Sequence, residues 1–171
     1  GGGFKTARDG STRVLLPLVC SKVNVPVIAA GGITDGRSMA AAFALGAEGV
    51  QMGTRMVSSA ESPVHQNWKD AIVGAKETDT VFLNRFGPGP ALRALRTEKT
   101  GTYEREGGEA VMGEFARAKE MYFGGDLESS IPLTGQVAGR IDAVKPVAQV
   151  IAETVAEFEE TVAEMARRYA S

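Results

Sequence analysis

The 171-residue chain has one cysteine, Cys20, and one histidine, His65. A lone thiol makes no internal disulfide, which excludes a disulfide-built scaffold and fits a reducing, cytoplasmic setting. One His and one Cys make no ligand cluster, so no metal site is expected. No apolar run approaches the roughly 18 residues that a membrane helix needs, so no contact with a membrane is expected. Positive charge is not in excess: 19 Lys and Arg against 21 Asp and Glu leave a net charge of −2. That balance excludes bulk electrostatic binding of nucleic acid.

What is present is globular: 43% hydrophobic and 23% charged residues. Glycine is abundant, 21 of 171, against a usual share of about 7%. The glycines cluster, and the clusters carry information. The chain opens on Gly1-Gly2-Gly3 just ahead of a helical pattern, which reads as the loop that follows a strand. More of the fold is therefore expected ahead of Gly1, and the chain reads as the C-terminal part of a longer protein.

Ser11 and Thr12 are good N-cap types, and Val14, Leu15, Leu18 and Val19 fall at helical spacing, so residues 11–22 read as a helix. The run VPVIAA (25–30) reads as a strand buried on both faces. Thr34 or Asp35 caps a helix over about 36–46, and EGVQM (48–52) is the next strand. Short buried strands alternating with helices imply parallel βα units. Beyond Thr54, residues 62–76 read as a helix with Pro63 in its first turn. A strand follows at 79–84, then a Pro/Gly loop at 85–90, and helices near 90–97 and 109–121. A glycine-rich connection spans 124–140. The chain ends in a long amphipathic helix over about 145–169, its apolar residues mostly three or four apart.

Two glycine clusters sit where chemistry is expected. Ala29-Ala30-Gly31-Gly32 ends one strand and precedes a helix; Gly53-Thr54-Arg55 ends the next strand. Glycine allows positive φ and close backbone approach, and a helix N-terminus offers N–H groups and a positive dipole end to an anion. Adjacent strands ending this way have the layout of a barrel phosphate site. Taken singly, each is also what a plain βα turn requires.

Gly2-Gly3, Ser11-Thr12, Leu15-Leu16-Pro17, PVIAAGGITDGR (26–37) and AAAFALGAEGVQMGTR (40–55) resemble the nitronate monooxygenase family, formerly 2-nitropropane dioxygenases. That family includes FMN-dependent enoyl-acyl-carrier-protein reductases of the second type and NADH:quinone reductases. The segments SPVHQNWKDAIV (62–73), GDLESS (125–130) and GQVAG (135–139) are similar too. The resemblance implies an α/β fold: the C-terminal part of a (β/α)8 barrel of the TIM type, about twice this length, with FMN at its C-terminal mouth. Residues 1–84 would be barrel units, 85–140 a helical insertion or lid beside the flavin, and 141–171 a helix packing on the barrel. Gly2 and Gly3 match the loop that approaches the flavin. Ala30, Gly31 and Gly32 match one half of the phosphate grip, Gly53 and Thr54 the other, and Gln136 a glutamine near the flavin. The partners implied are the N-terminal half of the same barrel, a small substrate, NAD(P)H and a further copy of the chain in a homo-oligomer.

One departure bears on the chemistry. Family members that oxidise nitronates read Gly-Gly-His, and this chain reads Gly2-Gly3-Phe4. A phenyl ring transfers no proton. His65 lies in a segment matching a structural helix and reads as a capping or packing residue. Lys5 and Arg8 are candidates to meet an anionic substrate or polarise a thioester carbonyl; solvent-facing loop charge is the alternative for each. The expectation is an FMN-dependent oxidoreductase acting on an acyl-thioester, such as an acyl-CoA, or a carboxylated substrate. A true nitronate monooxygenase, an NAD(P)H:quinone or enoyl reductase, and a flavin-free phosphate-binding isomerase or synthase remain alternatives.

Overall fold

A computed structural model of the chain describes residues 4–5, 10–87, 90–107 and 113–170. Phe4–Lys5 form β1. Helix α1 (Thr12–Cys20), β2 (Ile28–Ala30), α2 (Gly36–Ala44) and β3 (Gly49–Gln51) follow. β2 and β3 pair in parallel, with Ile28 opposite Gly49 and Ala30 opposite Gln51, which is the βαβ unit expected from the alternation. Leu16 of α1, Ala29 of β2, Ile33, Ala42 of α2 and Ala47 form its core.

The 25–30 run is not buried on both faces. Only Ala29 is enclosed; Val25 is 65% and Ile28 57% exposed. β3 is the one strand paired with β2 among the described residues, so the outer side of β2 has nothing packed on it. Val14, Leu15 and Leu18 of α1 continue this exposed apolar face.

After β3, a single turn, α3 (Thr54–Val57), leads to α4 (Gln66–Val73). Helix α4 is shorter than the sequence implied, and Pro63 precedes it rather than occupying its first turn. Strand β4 (Thr80–Leu83) follows as expected. Residues 91–95 are a strand, β5 (Ala91–Leu95), where the sequence reading expects a helix. Ala, Leu and Arg are strong helix formers, but here burial decides. β5 is the centre of a three-stranded antiparallel sheet, between β1 and β4. Its Ala91, Leu92 and Ala94 are fully buried. Phe4–Lys5, expected in a loop, are the edge strand of that sheet. The 85–140 region is thus part sheet and part helix: α5 (Glu98–Glu106), a 3-10 turn at Gly113–Arg117, α6 (Ala118–Gly124) and a 3-10 turn at Gln136–Arg140 complete it.

The last helix, α7 (Val147–Tyr169), runs 23 residues and packs on α2. Phe43 and Phe158 meet between them with ring centroids 5.2 Å apart. The crossing is close because Gly36 has no side chain: a methyl there would run into Phe158 N, Glu157 C and Thr154 O of α7. Backbone atoms cannot swing aside as side chains do, so Gly36→Ala must push the helices apart. The expected outcome is a loss of about 1–3 kcal/mol, read as a lower urea midpoint at unchanged m-value.

Candidate functional site

The two glycine turns follow directly from paired strands, so the parallel register brings them side by side. Gly31 and Gly32 both take left-handed backbone, φ +93° and +84°. Two successive residues of that kind are costly for anything but glycine. The turn is held from behind, where the Thr12 hydroxyl donates to the Gly31 carbonyl at 3.1 Å. A Cβ at Gly32 would meet nothing within 4 Å, and the same holds at Gly53. Both glycines therefore face open space and leave their backbones accessible to a ligand.

A cavity of about 650 Å³ opens over the first turn. Gly31, Gly32 and Gln136 line it, together with Arg13, Arg37, Arg93 and Arg140. Ala30 ends β2 beside it, with its side chain exposed. Gly53 and Thr54 stand at the end of β3 outside that lining; Gly53 is the N-cap of α3. Thr54 Oγ1 accepts the Gly135 N–H at 2.9 Å, one residue before Gln136. Gly2, Gly3, Arg8 and the side chains of Phe4 and Lys5 lie outside the described residues.

The end of α2 is organised differently from the sequence expectation of free N–H groups. Asp35 is its N-cap and forms a capping box with Ser38. Thr34 and Asp35 N–H donate to Ser38 Oγ, and Gly36 N–H donates to Glu157 of α7 at 2.8 Å. The helix end satisfies itself, and the glycine turn before it is the part left for a ligand. Sequence reasoning gave no role to Arg140, which pairs with Asp35, or to Arg55, and it read Thr12 only as a helix cap. Arg55 was visible only as the last residue of a motif. It is 5% exposed and donates through Nη2 to the Ala143 carbonyl at 2.8 Å. Burial lowers its pKa, and the carboxylates of Asp142 and Glu153 work against that.

His65 is the N-cap of α4, its Nδ1 accepting the Asn67 N–H at 3.1 Å, so the sole histidine is spent on local structure. Among the described residues no group of three His, Cys, Asp or Glu is placed to hold a metal, and no helix is long and apolar enough to cross a membrane.

The two left-handed glycines lie one paired strand away from a second open glycine turn, and an arginine-lined cavity opens over the first. The match to known families extends over nearly the whole chain: residues 1–157 fit nitronate monooxygenase. The chain belongs to the nitronate monooxygenase family. It is 47% identical over 98 residues to the "Probable nitronate monooxygenase" of Staphylococcus saprophyticus, a match covering 56% of this chain and 27% of that protein. With the protein of the same description from Staphylococcus aureus it shares 51% over 93 residues, 53% of this chain and 26% of that one. Among solved structures, FabK from Thermotoga maritima superposes with a TM-score of 0.85 at 45% identity, covering 92% of this chain and 51% of FabK. Nitroalkane oxidase from Streptomyces ansochromogenes superposes with a TM-score of 0.78 at 26% identity, covering 96% and 51%. The chain thus spans about half the length of these solved relatives. Its family is one of oxidoreductases, and its mixed α/β fold is theirs.

Asp35 supplies a pH test of the α2 cap. Burial raises its carboxyl pKa, but Ser38 through its backbone N–H and side chain, Arg140 and Thr34 together outweigh burial and hold it below the ordinary 3.8. A carboxyl lowered in the folded state stabilises above its unfolded pKa, and that stability disappears as pH falls through the folded value. Asp35→Ala is expected to cost about 1 kcal/mol at neutral pH. The gap between parent and variant, followed by urea denaturation, closes only below pH 3.8.

Proposed function

We propose that this chain carries the phosphate-gripping half of an FMN-dependent oxidoreductase of the nitronate monooxygenase family, built as a (β/α)8 barrel. The left-handed Gly31-Gly32 turn set beside Gly53-Thr54 on a paired parallel strand carries this reading. Loops after neighbouring parallel strands, joined by a one-turn helix, are a recurrent phosphate site in such barrels. The residues present fit the group. Gly32 and Gly53 expose backbone toward open space, and the Thr54 hydroxyl retains a proton to donate. Gly31, Gly32, Gly53 and Thr54 would hold the phosphate, with Ala30 beside them. Gln136, on the wall of the same cavity as Gly31 and Gly32, would face the flavin, as would Gly2 and Gly3.

When bound, FMN supplies hydride and electron transfer; the chain's residues orient it and select the substrate. Phe4 stands where nitronate-oxidising relatives carry their histidine, which removes the proton acceptor that this reaction uses. The substrate proposed is an acyl-thioester or a carboxylated compound, with Lys5 and Arg8 meeting its carbonyl or anionic group and NAD(P)H as electron donor. The N-terminal half of the barrel would cover the apolar face formed by Val14, Leu15, Leu18, Val25 and Ile28, each at least half exposed. A cytoplasmic enzyme is the setting that fits one unpaired cysteine.

The intact protein is expected to be yellow, with absorbance maxima near about 370 and 450 nm from its flavin; a colourless protein that takes up no FMN would sink the assignment. Gly32→Val puts a branched side chain at φ +84° into the phosphate space, so the variant should purify soluble and flavin-free. Full flavin occupancy in that variant would place the phosphate elsewhere.

Phe4→His restores the missing proton acceptor. General acid–base help is worth about 10²–10⁴-fold. Steady-state oxidation of a nitroalkane anion should therefore be weak in the parent enzyme and rise by orders of magnitude in the variant. Rapid nitronate turnover by the parent would show that Phe4 does not limit the reaction.

A further inference from the structure

One segment touches both turns of the proposed grip. Gly135 donates its N–H to Thr54 Oγ1 at 2.9 Å. Five residues on, Arg140 pairs with Asp35, the cap that follows the Gly31-Gly32 turn. Three residues further, the Ala143 carbonyl accepts from the buried Arg55 at 2.8 Å. The Lys145 carbonyl then accepts the Ala60 N–H at 2.9 Å, and Ser59 and Lys145 are bridged in parallel. Residues 135–145 are thus laced to 54–60 at three places and to the other loop at one. Gln136 rides on the same segment and lines the cavity above Gly31 and Gly32.

The Thr54 contact has a directional consequence. A hydroxyl has one proton and two lone pairs. By accepting from Gly135, Thr54 turns one lone pair inward and keeps its proton for an outside acceptor; none is found for it among the described residues. Arg55 is the costly member of the set. Arg55 is 5% exposed as a residue, so its charge gives up hydration, and its Nε has no partner among the described residues. Its remaining bond, to Ala143, ties the residue directly after Thr54 to the far end of the segment.

We propose that residues 135–145 are a strap that pre-sets both turns of the phosphate grip, with Arg55 as the positioning residue that fastens it. This rests on the flavin-phosphate reading above. The fastenings made by Arg55 and Arg140 bear on the phosphate turns, and the segment's flavin-facing residue, Gln136, is kept in every variant. Loss of a fastening therefore weakens binding of FMN and leaves binding of riboflavin, which lacks the phosphate, unchanged.

The experiment compares the affinities of FMN and riboflavin for the intact flavin-free protein by quenching of flavin fluorescence. The parent should prefer FMN. Arg55→Met should lose about 10–100-fold in FMN affinity, the worth of a charge-assisted contact, with riboflavin affinity unaltered. Arg55→Lys, which keeps the charge, should recover part of the loss. Arg140→Gln changes a half-exposed side chain and should lose about two- to fivefold for FMN alone. If Arg55→Met does not fold, Arg140→Gln decides: an FMN-selective loss supports the strap, and no loss overturns it. Equal losses for both flavins in the arginine variants would reduce the strap to general structural support and overturn the proposal. A parent that binds both flavins equally would overturn the flavin-phosphate reading itself, and the strap with it.

Discussion

The parallel register of β2 on β3 is the constraint on which the site depends. With Ala30 opposite Gln51, the Gly31-Gly32 turn and the Gly53-Thr54 turn emerge from the same edge of the sheet one strand apart. A slip of one residue would turn Ala29 out of the core and Ile28 into it. Ala29 is enclosed in one cluster with Leu16, Ile33, Ala42 and Ala47. Core packing thus fixes the register, and the register fixes the spacing of the two turns.

Around this pair the chain invests in rigidity. Helix α7 closes over α2 through the bare backbone of Gly36 and sends Glu157 to the Gly36 N–H. Charges near the grip are spent locally: Arg140 on Asp35, Lys145 on Glu153, Arg37 on Glu157. Isolated surface pairs of this kind contribute little stability singly. Their value here is geometric: Arg140 joins the 135–145 segment to the loop after β2, Lys145 joins that segment to α7, and Arg37 joins α2 to α7. Val14, Leu15 and Leu18 of α1, with Val25 and Ile28 at β2, are each at least half exposed, apolar surface of the kind that marks an interface.

Much of the fold was legible in advance where local chemistry and tertiary packing agree. The βαβ alternation, the Asp35 cap, β4 and the long terminal helix follow from periodicity and capping residues. His65 was read as a capping or packing residue because its segment resembles a structural helix of the family, and it is the N-cap of α4. The sequence reading fails at Ala91–Leu95. Those five residues favour a helix by propensity, and nothing local records that β1 and β4 lie on either side. The first strand fails for the same reason, since Phe4–Lys5 is two residues long and its pairing partner is Leu92, far along the chain. The two left-handed glycines were legible as a turn, and the residues that brace the turn were not.

What the sequence alone determined is whatever a residue does with its near neighbours: which segments are helical, where the glycine turns fall, and the family those turns resemble. Tertiary structure decided which surfaces meet. It placed Gln136 over Gly31 and Gly32, brought Arg140 to Asp35 across more than a hundred residues, and buried Arg55 against the Ala143 carbonyl. These contacts carry no periodic or compositional mark. A hydrogen bond between distant segments is specified by how whole elements pack, and each partner alone looks like an ordinary arginine or threonine on a loop.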